Sequence, residues 1–177
     1  MVKIDLNEEQ KQIVEKIESK CRLIKGTQEK GKETCNIVKE YLQKHFSDKD
    51  IQIRPIEGIL SKCEFLIITK KSDEGKDAPF DAVIKVNKKG GNYGNKEEYK
   101  ESFKKLKILF DSIKEKNPEI ICCYLAISNH ISKNKDSDYN EMAKRELKHY
   151  GCFMLCDTNK NLISDSWQNF LEHLKPH

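Results

Sequence analysis

Three short runs of β-forming residues between Ile51 and Lys89, each closed by turn residues, constrain this chain more than any other feature. They read IQIRPIEGIL, SKCEFLIITKK and FDAVIKVNKKGG, with the polar turn SDEGKDAP between the last two. Enrichment in Ile, Val and Phe, bounded by Gly, Pro, Ser and Asp, predicts a meander of three adjacent strands. Side chains alternate along a strand, so Glu64 shares a face with Leu66 and Ile68. In the third strand Asp81, Val83, Lys85 and Asn87 share one face and Phe80, Ala82, Ile84 and Val86 the other. This parity predicts that two neighbouring strands show Glu64, Asp81, Lys85 and Asn87 on one surface.

Helical patterns flank the meander. Asn7 is positioned to cap a helix running to about Leu23, with Ile13, Val14, Ile17 and Cys21 as its apolar stripe. Gly26 breaks it, Thr27 can cap a second, and Ile37, Val38, Tyr41, Leu42 and Phe46 give that helix its buried side. After the meander, Tyr99, Phe103, Leu106, Phe110 and Ile113 step by four and three residues, the spacing of one buried helical stripe. EIICCYLAIS is nearly continuous in apolar residues, the mark of a strand covered on both faces. A short helix from Tyr139 to Tyr150 closed by Gly151, a strand CFMLCD, and a terminal helix carrying Ile163, Trp167, Phe170, Leu171 and Leu174 complete the order.

The expectation is a mixed α/β fold, one central mixed sheet of about five strands with helices on both faces. At 177 residues the chain reads as a single domain, 1–177, with an N-terminal helix over 1–25 and an α/β core over 26–177. Acids and bases nearly cancel at a net charge of +4, so no global field compels a nucleic-acid partner. No apolar run reaches membrane-spanning length and MVKIDLNEEQ carries no signal-peptide pattern, which predicts a soluble cytoplasmic protein with no membrane partner.

Seven cysteines without a CxxC pair fit buried free thiols and predict no zinc site. The five histidines form no paired motif. The loop GGNYGN lacks the lysine-serine or lysine-threonine of a P-loop and the spacing of a dinucleotide fingerprint, so no nucleotide cofactor is expected.

The element order, a helix, a three-stranded meander, then helix, strand, helix and strand, resembles the restriction-endonuclease-like fold of the PD-(D/E)XK nuclease superfamily. In that superfamily the second strand brings an acid and the third an acid-x-lysine, and the helix before the sheet often adds a glutamate. The resemblance implies a divalent-metal-dependent nuclease acting on DNA by phosphodiester hydrolysis, with Mg²⁺ or Mn²⁺ held by carboxylate oxygens. Glu64 in KCEFLI falls where the second-strand acid would stand. The third-strand pattern falls on Val83, Ile84, Lys85, Val86 and Asn87, so Lys85 occupies the acid position and Asn87 the lysine position. Asp81, four residues before Lys85, offers a displaced acid if a bulge absorbs the extra strand. The helix opening GTQEKGKETCNIVKEYL places Cys35 at the glutamate position, with Glu33 two residues early and about 200° away around the helix.

The family positions thus fall on Cys35, Glu64, Lys85 and Asn87, with Glu33 and Asp81 as displaced acids. The candidate metal ligands are Glu64 and Asp81, and Lys85 would orient water or charge. Lys88, Lys89, Asn87, Lys96 and the ring of Tyr93 are the candidate nucleic-acid contacts around the glycine-rich loop. The resemblance also admits a homodimer, in which two subunits make a duplex break. Two other readings stand beside the nuclease. One is a catalytically inactive nuclease-fold module binding nucleic acid or a protein partner, and the other is an unrelated α/β interaction domain.

Overall fold

The computed structural model describes residues 5–58, 60, 63–70, 80–89, 96–128 and 139–175. Its elements in chain order are α1 (Leu6–Cys21), α2 (Thr27–His45), β1 (Lys49–Pro55), β2 (Glu64–Lys70), β3 (Phe80–Lys89), α3 (Lys96–Lys116), β4 (Ile121–Ser128), α4 (Tyr139–Glu146), β5 (Gly151–Cys156) and α5 (Ser166–Leu174). The five strands form one sheet in sequence order, β1-β2-β3-β4-β5. β2 runs antiparallel to both β1 and β3, while β3, β4 and β5 are parallel. Parallel neighbours need a crossover, and α3 and α4 supply the two that this sheet requires.

The helices divide between the two faces. Ile13, Ile17 and Cys21 of α1, Val38 and Leu42 of α2, and Trp167, Phe170 and Leu174 of α5 pack against Leu66, Ile68, Ile84, Val86 and Leu125. Phe103, Leu106 and Phe110 of α3 and Met142, Ala143 and Leu147 of α4 pack against Phe65, Ile67, Val83, Tyr124 and Met154 on the other side. β4, flanked by β3 and β5, has six buried residues between its two ends, so its nearly unbroken apolar run has hydrophobic cover on both faces. No helix among the described residues is long and apolar enough to cross a membrane.

α1 is built into this core by polar contacts as well as apolar ones. Gln10, 1% exposed, donates to the carbonyls of Leu155 at 2.9 Å and Ile163 at 2.8 Å, and its Oε1 accepts from the Trp167 backbone N–H at 3.0 Å. Glu9 Oε2 accepts from Trp167 Nε1 at 2.7 Å and pairs with His45 Nε2 at 2.6 Å. Asn7 and Asp165 exchange hydrogen bonds of 2.9 and 2.8 Å, with Asp165 in the left-handed region at φ 64° just before α5. Buried polar groups cost free energy unless satisfied, and here their partners join the first helix to the last.

Three local expectations need correction. Asp5 caps α1, its carboxylate accepting from the N–H groups of Asn7 and Glu8, which leaves the Asn7 side chain for Asp165. Gly26, not Thr27, is the N-cap of α2. Gly151 does not close α4, which ends at Glu146; it opens β5, where a Cβ would stand 2.6 Å from His173 Nε2. Glycine permits that close approach of helix α5 to the strand.

Candidate functional site

The antiparallel ladder of β2 and β3 is short. It pairs Leu66 with Ile84, Ile67 with Val83, Ile68 with Ala82, and then, after a register shift, Thr69 with Phe80. Beyond Leu66 and Ile84 the two strands no longer pair, although β2 continues alongside β1 to Glu64 and β3 alongside β4 to Lys89. The sheet therefore opens between the start of β2 and the end of β3. Glu64 and Phe65 lie on one side of the opening, and Lys85, Val86, Asn87 and Lys88 on the other.

Glu64 and Lys85 border this opening from opposite faces, contrary to the single shared face expected. Pairing Leu66 with Ile84 puts position 85 level with Phe65 and position 86 level with Glu64. Lys85 accordingly projects to the α3 and α4 side, its Nζ 5.5 Å from the centre of the Phe65 ring. Val86 packs in the α1, α2 and α5 cluster, the side to which alternation also assigns Glu64. Alternation holds along β2 and from Ala82 to Asn87, but the bulge at Asp81 breaks it, so that Phe80 packs with the α3 and α4 cluster and not with Ala82, Ile84 and Val86 as expected; across strands, only the register decides which faces coincide.

Cys35 comes to the same place from α2. It is 4% exposed, and burial pushes its thiol up to about 11; the Lys85 charge opposes that rise and the Glu64 carboxylate adds to it. The thiol thus feels both charged groups across the opening. Asn87 is tied down on the α3 side, donating through Nδ2 to Tyr124 Oη at 3.0 Å. Tyr124 stacks edge-on to Phe103 at 5.5 Å, and burial raises its hydroxyl well above the usual range, with the Asn87 bond opposing. Cys35 and Glu64 thus border the opening from the α1, α2 and α5 side, and Lys85 and Asn87 from the α3 and α4 side.

The displaced acids do not. The register shift makes Asp81 the extra residue of a bulge, beside Thr69 at the far end of β2, five positions or about 17 Å of strand from Glu64. There its Oδ2 meets Lys49 Nζ at 2.8 Å, so the bulge aims Asp81 at β1 and not at the opening. Glu33 lies on the flank of α2 toward α1, where its charge acts on Lys16. Lys88 is engaged by Glu18 of α1 at 3.8 Å. Tyr93 and its loop lie outside the described residues, as do the side chains of Lys89 and Lys96.

A magnesium ion takes oxygen ligands in near-octahedral array, one or two carboxylates together with waters and substrate phosphates. Among the described residues Glu64 is the one carboxylate that the two strands bring to this opening, with Glu18 of α1 reaching its Lys88 end, and no group of three His, Cys, Asp or Glu side chains could hold a metal. A thiol and an ammonium supply no oxygen and Asn87 could add only its Oδ1, so the described residues do not assemble the Mg²⁺ or Mn²⁺ site expected of Glu64 and Asp81. What the arrangement offers is a cation, Lys85, that makes no ion pair among the described residues, beside the unpaired flank of a strand.

Compared with known proteins, the chain matches no family model, no curated protein and no solved structure. Sequence reasoning missed Glu18 and Arg54. Arg54 pairs with Phe65 in the sheet and lays its guanidinium over the Phe80 ring at 4.7 Å, with its Nε buried and lacking a hydrogen-bond partner. Neither residue carries a sequence signal, since each matters only through what folding places next to it.

Proposed function

We propose that the protein is a binding module on a nuclease-like α/β frame that engages the phosphodiester backbone of nucleic acid at the parted ends of β2 and β3 and does not hydrolyse it. The observation that supports this most is the composition of the opening among the described residues: one strand carboxylate, Glu64, bordered by Cys35, Asn87 and Lys85, a cation without an ion pair. Two carboxylates sharing a metal are what hydrolysis would need, and Asp81 is held by Lys49 at the other end of the strands. Phosphate contacts need only positive charge and N–H donors that approach closely. Lys85 supplies the charge, and β3 runs on through Lys88 and Lys89 in the same direction. DNA is the expected nucleic acid.

Binding of labelled duplex and single-stranded DNA and RNA, followed by fluorescence anisotropy across a salt series, tests this reading. Wild-type protein should bind with a negative slope of log K against log salt. Lys85→Gln should weaken binding and flatten the slope by about one unit. Binding that ignores the Lys85 substitution would place the contact elsewhere on the surface.

A further inference from the structure

Lys88 stands on the same face of β3 as Ala82, Ile84 and Val86, toward α1 and α2. Its Nζ lies 3.8 Å from Glu18 Oε1, with the two side chains 18% and 34% exposed. Charge-assisted N–H···O bonds run to about 2.7–2.9 Å, so this is an ion contact without a hydrogen bond. The Glu18 side chain makes no other ion pair or hydrogen bond among the described residues. Its charge is also felt at Cys156 on the end of β5, whose thiol is raised to about 11 by burial first, then by Asp157 and Glu18. The N-terminal half of α1, in contrast, is fastened by Asn7, Glu9 and Gln10.

We propose that Glu18 is an internal competitor for the anion that Lys88 would otherwise bind, so that α1 restrains the site at the parted strands through a single displaceable carboxylate. The proposal rests on the nucleic-acid-binding reading given above. An arriving phosphate has to displace Glu18 from Lys88, and the firm docking of the helix start lets that exchange occur without unseating α1. Part of the positive charge at the end of β3 is therefore masked in the free protein. The masking is electrostatic, so it should be strongest at low ionic strength.

The test is anisotropy of short labelled duplex and single-stranded DNA against wild-type protein, Glu18→Gln, Lys88→Gln and the double variant across a salt series. Glu115→Gln, an exposed carboxylate of α3 on the other face of the sheet, controls for net charge. Glu18→Gln should tighten binding about three- to tenfold at low salt and steepen the salt slope by about one unit, reporting one more phosphate contact. Glu115→Gln should leave the slope unchanged, and in the Lys88→Gln background Glu18→Gln should give no gain. If wild-type protein binds but Glu18→Gln behaves like Glu115→Gln, or keeps its gain without Lys88, the competitor role is overturned while the binding reading stands. If no variant binds, the binding reading itself is wrong and the competitor role falls with it.

Discussion

Leu66 of β2 stands opposite Ile84 of β3 in the last antiparallel pair these strands make before they part. Both side chains are fully buried, so the pair closes the core just where the polar opening begins. Ile84→Ala should leave a cavity there and cost about 2–5 kcal/mol in denaturant unfolding. Lys85, one position further on and half-buried, should behave differently: Lys85→Gln should change stability by less than about 0.5 kcal/mol while weakening nucleic-acid binding. Measuring both variants by urea unfolding and by anisotropy separates the role of the strand from that of the site.

The contacts of Glu9 predict that the first and last helices unfold together. Trp167 is fully buried and its Nε1 donates to Glu9, so Trp167→Ala should cost about 3–5 kcal/mol. His45→Ala should cost about 1–3 kcal/mol by leaving the Glu9 carboxylate short of a donor. A single cooperative transition, reported alike by Trp167 fluorescence and by circular dichroism, is the expected result. Two separate transitions would show that α1 and α5 form a weaker unit of their own.

The α3 stripe makes a second stability prediction. Phe103 and Phe110 are 4% and 0% exposed, and truncating either to alanine should cost about 3–5 kcal/mol. Ile108 on the same helix is 54% exposed, and Ile108→Ala should lie within about 0.5 kcal/mol of wild type.

That stripe and β4 were legible in the sequence because their apolar residues repeat with the period of the element they form. Glu9 and Gln10 were not: charge and amide read as surface, and only their partners from Leu155 to Trp167 make them interior. The candidate site was legible only in part: Cys35 of α2 lies within reach of the charges of Glu64 and Lys85, while Asp81 and Glu33 lie elsewhere. Its chemistry was less so. The register between β2 and β3 decides that Glu64 and Lys85 approach from different faces, and the bulge at Asp81 sends that acid toward Lys49. Both depend on pairing between segments, which no pattern within one segment encodes.

The buried thiols predict a pH dependence with a definite sign. Burial pushes Cys35 up to about 11 and Cys122 up to about 12, from an ordinary value of 9.0. Below about pH 9 these groups hold their protons in both folded and unfolded chains, and their contribution to stability is fully present. As the pH rises toward about 11–12 the unfolded chain loses protons that the folded chain keeps, so the contribution is progressively lost. Unfolding free energies measured from about pH 8 to about pH 10.5 should therefore fall. At neutral pH the same cysteines should react slowly with an aromatic disulfide reagent in native protein and quickly in denaturant. Rapid modification of the native thiols would contradict their burial.

Binding without hydrolysis is the central claim, and an assay reading both on one sample tests it most directly. Labelled duplex and single-stranded DNA would be incubated with purified protein in Mg²⁺ or Mn²⁺, with complex formation read by anisotropy and chain integrity by denaturing gel. The account predicts a salt-sensitive complex from which the DNA is recovered intact with either metal. Metal-dependent cleavage that disappears in Glu64→Ala would contradict it and show that this opening assembles a working metal site.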